Sequence, residues 1–264
     1  MATLFLESPE IALNAMVLRR LMQCGAAVFV ADDKHMPCMA GLPFDTHSRV
    51  AGVQRLQLSM TEPFQKRCWQ AIVKRKIENQ AECARLAGSD GWPALLEIAA
   101  KVSSGDGANA EAWAARLYFD LLFDEGFFRG DDDALNAGLN YGYAVVRAGV
   151  ARALASHGFL LTQGLHHRSE LNAFNLADDF IEPFRPLVDL CVVKTIPPEG
   201  ELEAEHRQVL VSLLANEIRI EGKKQGVTNA MDIMASSFLA ACQNKSPGAL
   251  KLPELIPLAS HSYE

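Results

Sequence analysis

The apolar pattern of the chain changes near Thr46, and that change decides what it can fold into. Ahead of it lie strand-sized pieces. Thr3–Leu6 has strand character, and Pro9–Gln23 reads as a short helix with Ile11, Leu13, Met16, Val17, Leu18 and Leu21 as a broad apolar face closed by Gly25. Ala26–Ala31 reads as a buried strand, and Lys34–Phe44 holds two prolines and a glycine with little periodicity. Strand–helix–strand order suits a parallel pairing, although two strands are too few to stand alone.

After Thr46 the chain reads as helix upon helix. Ser48 caps one that runs to about Met60; Thr61, with Pro63 in the first turn, opens a longer one that ends at Gly88. Trp92–Val102 follows, then a loop at Ser103–Asn109 and a helix at Ala110–Phe123, apolar on nearly every side and therefore expected to be buried. Asp132–His157 is stopped by Gly158. Leu202–Lys223, with Glu217, Arg219 and Glu221 outward, and Asn229–Gln243 complete the helices, and Pro247–Glu264 reads as a loosely ordered tail. The fold class is α+β: a small N-terminal piece over 1–45 and a predominantly helical domain over 46–264.

A length of 264 residues with 49% hydrophobic content gives one or two domains with ample core. The longest apolar run, Gly25–Ala31, is strand-sized, so no membrane span is expected, and Met1–Glu10 carries no export signal. The six cysteines lack C-x-x-C spacing and read as core residues in a reducing cytoplasm, which disfavours a zinc site. The net charge of −7 is polarised. Arg49, Arg55, Lys66, Arg67, Lys74, Arg75 and Lys76 face Glu62 alone in their stretch, while acid gathers at Asp131–Asp133 and Glu199–Glu205. Local basic charge of this kind is compatible with DNA, and equally with a solvated helix face.

The chemistry-bearing stretch is Gly164–Leu190. His166 and His167 stand side by side in a turn-like segment, followed by Asp178, Asp179 and Glu182 at a helix start that Pro183 and Pro186 kink. Asp179 and Glu182, three apart, would share a helix face and could close on one ion, since a divalent cation relieves the repulsion of crowded acids. Adjacent side chains in extended chain point apart, so only one histidine should face such an ion. Spacing alone is also met by a helix capped by Asn175 or Asp178 with a solvated acidic face. Glu111, in the first turn of its helix two residues after Asn109 as cap, equally suits the helix dipole.

These stretches carry more than spacing. GLHH at Gly164–His167 and NLADDFIEPFRPLVD at Asn175–Asp189, with EAWAARLYF at Glu111–Phe119, LNYGYAVVR at Leu139–Arg147 and KIENQA at Lys76–Ala81, resemble the CRISPR-associated spacer integrases, in their type II branch. Those are metal-dependent enzymes that insert new spacers into CRISPR arrays, and the resemblance runs from about Leu4 to beyond Asp189. It implies that Glu111, His167 and Glu182 are metal ligands and that Asp179 is a further ligand or orients one through water. Two carboxylates and an imidazole suit Mn²⁺ or Mg²⁺. His166, Arg168 and Ser169 become candidates for phosphate contacts, and Arg185 for holding Glu182 or Asp189. Asn140, Tyr141 and Tyr143 are expected to hydrogen-bond within the helical core. Because crowded acids repel, replacing any one ligand is expected to leave the metal-free fold unharmed.

The resemblance further implies a catalytic helical domain in which the 3′-hydroxyl of a spacer precursor attacks the leader–repeat junction. It also implies double-stranded DNA as substrate, a homodimer, a small ferredoxin-like CRISPR partner subunit, and the effector nuclease as a further partner. Family members carry more strands ahead of the segment ATLFLESPE, so the N-terminal piece is expected to be part of a larger β-rich domain. Gly130 stands where the family often has an arginine. Two rivals stay open on sequence: a structure-specific metal nuclease outside CRISPR, and an inactive scaffold subunit.

Overall fold

The computed structural model describes residues 3–33, 37–43, 49–123 and 126–261. Strand β1 (Thr3–Leu6), helix α1 (Ala15–Gln23) and strand β2 (Ala27–Ala31) form the expected unit, with β1 and β2 parallel from Thr3 opposite Ala27 to Leu6 opposite Val30. Strand β3 (Pro37–Gly41) then pairs antiparallel with β2, giving the order β1-β2-β3. Sequence reading missed it, because a proline at its start and a glycine at its end mask any alternation. Helix α1 starts at Ala15 rather than Pro9, since the Asn14 side chain accepts from Val17 N and caps it there. It buries none of its residues; Met16, Val17 and Leu18 are exposed, as is Ile11 ahead of it.

The helical part follows in order: α2 (Val50–Leu58), α3 (Glu62–Ala87), α4 (Trp92–Ala100), α5 (Ala110–Leu122), α6 (Ala134–Ser156), α7 (Asn175–Ile181), α8 (Arg185–Thr195) and α9 (Ala204–Ser212). Next come the hairpin β4 (Glu217–Ile220) and β5 (Lys223–Gly226), then α10 (Val227–Asn244). The proposed Ser48 cap and the domain boundary at Thr46 lie outside the described residues. Helix α3 is the axis: Trp69, Ile72, Val73 and Ile77 are fully enclosed, and α4, α5 and α8 pack on it. The small sheet rests on α6, where Ala27 and Phe29 meet Ala148 and Phe5 stacks on Phe29. Among the described residues no helix is long and apolar enough to cross a membrane.

Three expectations need correction. Helix α5 is not buried all round: only Ala110, Ala114, Tyr118 and Leu122 are, a stripe of period four, while Trp113 is 74% exposed. Small alanines had made a surface helix look apolar on every side. The single helix expected at Leu202–Lys223 stops at Ser212 and gives way to the hairpin, because Glu221 and Gly222 both adopt positive φ and supply a two-residue turn. Alternating burial of Ile218 and Ile220 about exposed Arg219 was the signal. The tail is not loose. Arg219 and Glu254 exchange backbone hydrogen bonds, Glu217 N donates to Ala259 O, and Leu255 and Ile256 are buried. Its prolines fit an extended edge segment that does not need their missing N–H groups.

Buried amide side chains staple these layers. Asn79 on α3 donates to Pro183 O (2.7 Å) and Pro253 O (3.0 Å) and accepts from Leu255 N, joining α3, the α7–α8 junction and the tail. Gln57 on α2 likewise binds Leu160 O, Gln163 O and Leu160 N. Helix α6 approaches α8 and α9 closely at Gly142, where a Cβ would overlap Val188 Cγ1 and stand 3.1 Å from Leu210 Cδ2. Gly142→Ala adds about 1 kcal/mol of helix propensity but overpacks a stiff β-branched neighbour at about 1–3 kcal/mol. The expected outcome in denaturant unfolding is a net loss of up to about 2 kcal/mol. A stabilised variant would show that α6 and α8 have slack between them.

Candidate active site

The site gathers on the buried side of α3. Lys76 falls in the same helical stripe as Trp69, Ile72 and Val73 and is only 8% exposed. A lysine there must find acid, because an isolated buried charge is prohibitively costly. Its Nζ donates to Glu111 Oε1 at 2.6 Å and lies 2.5 Å from Glu182 Oε2. Burial pushes the Lys76 pKa down, but the two glutamates more than offset this and hold it above its ordinary value. Glu182 is 4% exposed; burial raises its pKa, and Lys76 with Arg185 together bring it below the ordinary carboxylate range. Both groups are thus charged at neutral pH.

Each partner is placed by local chemistry. Glu111 sits in the first turn of α5, and that turn is held by Asp106, whose carboxylate accepts from Ala110 N (2.9 Å) and Glu111 N (3.0 Å). Asn109, expected as the cap, makes no side-chain cap bond. Asp106 reaches the helix start because a compact turn at Ser104–Asp106 folds it back. Glu182 opens one tight helical turn, Glu182–Phe184, that links α7 to α8. The expected kink at the prolines is therefore a continuous bend. Arg185 donates to Glu182 Oε1 at 2.9 Å and lies over the Tyr143 ring, so of its two expected partners the structure selects Glu182.

Asp189 has other partners: Tyr118 at 2.8 Å and Tyr143 both donate to it. Burial raises its pKa to about 6 against those two bonds. Tyr143 hydrogen-bonds within the helical core as expected, while Tyr141 donates to Glu7, just beyond β1. Asn140 is exposed and accepts from Arg129 instead.

The histidine loop is built around Asp179. That carboxylate is fully enclosed and accepts from three successive backbone N–H groups, those of Leu165, His166 and His167, and from His167 Nδ1 at 2.8 Å. The segment is a bend folded around an anion rather than extended chain. Gly164 is required beside it, since a Cβ would collide with the His167 carbonyl and come within 2.7 Å of Asp179 Oδ2. Asn175 closes the loop by donating to Thr162 O and Ser169 O and accepting from Ser169 N, so it is a staple and not a cap. Asp178 is tied to Arg147 and Asn172.

Because a carboxylate only accepts, the His167 Nδ1–H donates to Asp179, so that in the neutral ring Nε2 carries the lone pair. This bond, against burial, raises the His167 pKa. His166 stacks flat on Trp69 at 4.3 Å, with the His167 ring edge-on to the same indole.

Asp179 and Glu182 therefore do not close on one ion. Asp179 is occupied by the loop, whose N–H groups need an acceptor, while Glu182 faces Lys76 and Glu111. Glu111 and Glu182 are brought together, and His167 is close enough to feel the Glu182 charge. Among the described residues, no three His, Cys, Asp or Glu side chains stand close enough to share a metal ion in this arrangement, where Lys76 fills the space between the acids. The donors still fit a hard divalent cation. Two carboxylates from separate segments already converge on one positive charge, and oxygen donors of this kind suit such an ion.

Of the basic stretch, Lys76 is buried, Arg75 pairs with Glu78 and Glu254, and Lys66 pairs with Glu62. Arg55, Arg67 and Lys74 stay exposed, as does Arg168, which donates to Gln65. Asp106 was not singled out in the sequence, and Lys76 was read there as part of the basic stretch and the KIENQA motif rather than of the site. A lysine within the apolar stripe of α3 was the available signal for the latter.

Comparison with known proteins agrees with this architecture. The family described as CRISPR associated protein Cas1 matches residues 3–212. The CRISPR-associated endonuclease Cas1 of Neisseria meningitidis serogroup C (strain 8013) is 45% identical over 268 residues, spanning 100% of this chain and 88% of that protein. Among solved structures, a casposase bound to integration product superposes with a TM-score of 0.68 at 17% identity, over 93% of this chain and 92% of that one. A Cas6-RT-Cas1–Cas2 complex contains a chain that matches at TM-score 0.71 and 20% identity, over 94% of this chain and 32% of that one.

The Asp179 geometry predicts a stability role. Asp179→Ala leaves three backbone N–H groups without their acceptor and should cost about 2–4 kcal/mol in the absence of any metal, read as a shifted denaturant midpoint. An unchanged metal-free midpoint, with only metal affinity lost, would make Asp179 a plain ligand.

Proposed function

The chain belongs to the Cas1 family of CRISPR-associated proteins, and on that footing we propose that it is a metal-dependent DNA integrase and endonuclease of CRISPR adaptation. In this reading it inserts spacer DNA at the leader–repeat junction. The observation that carries the proposal is the convergence of Glu111 and Glu182, from separate segments, on one buried positive charge beside a histidine whose free nitrogen is set by Asp179.

Glu111, Glu182 and His167 Nε2 are the groups that would hold Mn²⁺ or Mg²⁺. A divalent ion there supplies Lewis acidity at a phosphodiester and charge for the leaving oxygen. Asp179 fixes the His167 ring and its tautomer, and Arg185 fixes the Glu182 carboxylate. Among the described residues, the buried thiols and phenols are held protonated and are poor covalent nucleophiles. Burial raises the thiol pKa of Cys68 and of Cys242 to about 12, and that of Cys83 well above the ordinary range. Tyr118 and Tyr143 are likewise pushed up, each bound to Asp189. The attacking group must come from outside, as a DNA 3′-hydroxyl for strand transfer or water for nicking. Similarity to a casposase on integration product supports strand transfer as the main reaction.

Exposed Arg67 and Arg168, on α3 and the histidine loop, are the candidates for DNA phosphate contacts, with His166 presented on Trp69 between them and the site. The related chain in the Cas6-RT-Cas1–Cas2 complex supports a Cas2-type subunit as the small partner. Homodimer formation and an effector-nuclease contact rest on family membership alone.

Strand transfer in Mn²⁺ should fall at least about 100-fold in Glu111→Ala, His167→Ala and Glu182→Ala, and stay within a few-fold in His166→Ala. The fold is not equally indifferent to the three. Glu182→Ala removes a buried partner of both Lys76 and Arg185 and should lower metal-free stability by about 3 kcal/mol, contrary to simple relief of acidic repulsion. Glu111 is half-buried, so Glu111→Ala tests the chemistry with least damage. Full activity in Glu111→Ala or His167→Ala would overturn the assigned site. Inactivity of the wild type with DNA, metal and partner all present would mark an inactive scaffold.

A further inference from the structure

Lys76 is more than a buried charge that found acid. Its ammonium lies between the carboxylates that the proposed function assigns to a divalent ion, 2.6 Å from Glu111 Oε1 and 2.5 Å from Glu182 Oε2. It reaches them from α3, whereas the acids come from α5 and the α7–α8 bend, so one side chain ties three elements together. We propose that Lys76 is the resident cation of this pocket: it holds Glu111 and Glu182 together while no metal is bound, and it must leave before a divalent ion can be held there.

The two contacts are unequal in a way that favours such an exchange. Toward Glu111 the ammonium makes a directed hydrogen bond. Toward Glu182 it stands 2.5 Å from the enclosed Oε2, a charge contact less well aligned than the bond to Glu111. A buried carboxylate oxygen whose partner is a single mobile point charge can equally be met by a coordinating cation. Arg185 is not an alternative occupant. It binds the other oxygen of Glu182 from the far side and is held over the Tyr143 ring. With Arg185 in place, two carboxylates, one ammonium and one guanidinium balance. Adding a divalent ion without moving Lys76 would crowd positive charge at contact distance, which a low-dielectric pocket strongly resists. Lysine suits the task because its stem is flexible and its ammonium carries no fixed geometry, unlike a guanidinium.

This inference rests on the proposed metal site and yields a separate expectation. A resident cation that competes with the metal should weaken its binding, so removing the ammonium should tighten it. Lys76→Met keeps the apolar stem and removes the charge. Mn²⁺ binding by the full-length protein, measured by isothermal titration at fixed pH and salt without DNA, should be at least about tenfold tighter in Lys76→Met than in wild type. The metal-free variant, with two acids sharing only Arg185, should melt lower, and Mn²⁺ should raise its melting temperature by more than it raises that of wild type.

If Lys76→Met is too unstable to fold without metal, Mn²⁺ must restore folding, and failure to do so counts against the inference. Lys76→Gln should show the same direction of change. If wild type binds Mn²⁺, Glu111→Gln abolishes that binding, and Lys76→Met binds no more tightly than wild type, the resident-cation idea falls while the metal site stands. If neither wild type nor Lys76→Met binds Mn²⁺ at this pocket, both the site and the inference fall.

Discussion

Everything near the site depends on one electrostatic problem, which is how Glu111 and Glu182 lie together under cover. Two carboxylates at close range repel, and the enclosed Glu182 bears the cost of burial as well. Lys76 removes the difficulty by entering from α3 between them, and Arg185 completes the neutralisation on the far side of Glu182. The geometry of three elements is thereby coupled. Helix α5 must start where Asp106 fixes its first turn, and the α7–α8 bend must present Glu182 inward. Helix α3 must carry a lysine where its own pattern asks for an apolar residue.

A second polar centre supports the first. Asp179 organises the histidine loop as an anion would, drawing successive N–H groups inward and turning His167 so that one ring nitrogen is committed and the other free. Neither centre could persist on loose elements. Asn79, Gln57 and Asn175 each satisfy backbone groups of separate segments, so the irregular chain around the site keeps few unpaired polar groups and little freedom. Rigid surroundings of this kind allow ligands from distant segments to be held ready before a metal arrives.

The sequence made much of this legible, for reasons that differ by element. Helix α3 was readable because Thr61 and Pro63 mark its start and Gly88, in left-handed conformation, its end. The parallel β1–β2 pair followed from strand–helix–strand order. Strand β3 and the β4–β5 hairpin were not read, since short strands at edges carry weak alternation, and a Glu-Gly turn inside a helix-like charge pattern is easily overlooked. The tail acquires its order from Arg219, Glu217 and Asn79, which are remote in sequence and invisible to local pattern. Glu111, His167 and Glu182 came from the family resemblance. The separate task of Asp179 did not, because helical spacing relates side chains on one helix and cannot show that a distant loop has claimed one of them.

On the proposed function, the pocket holding Lys76 is a divalent-ion site in which the ammonium is a substitute cation. The most direct measurement is a pair of crystal structures, metal-free and Mn²⁺-soaked, with anomalous scattering to locate the ion. The account predicts a single strong anomalous peak bonded to Glu111, His167 Nε2 and Glu182, Asp179 still bound to the loop, and Lys76 withdrawn from both glutamates. An ion bound elsewhere, with the Lys76 contacts unchanged, would contradict it.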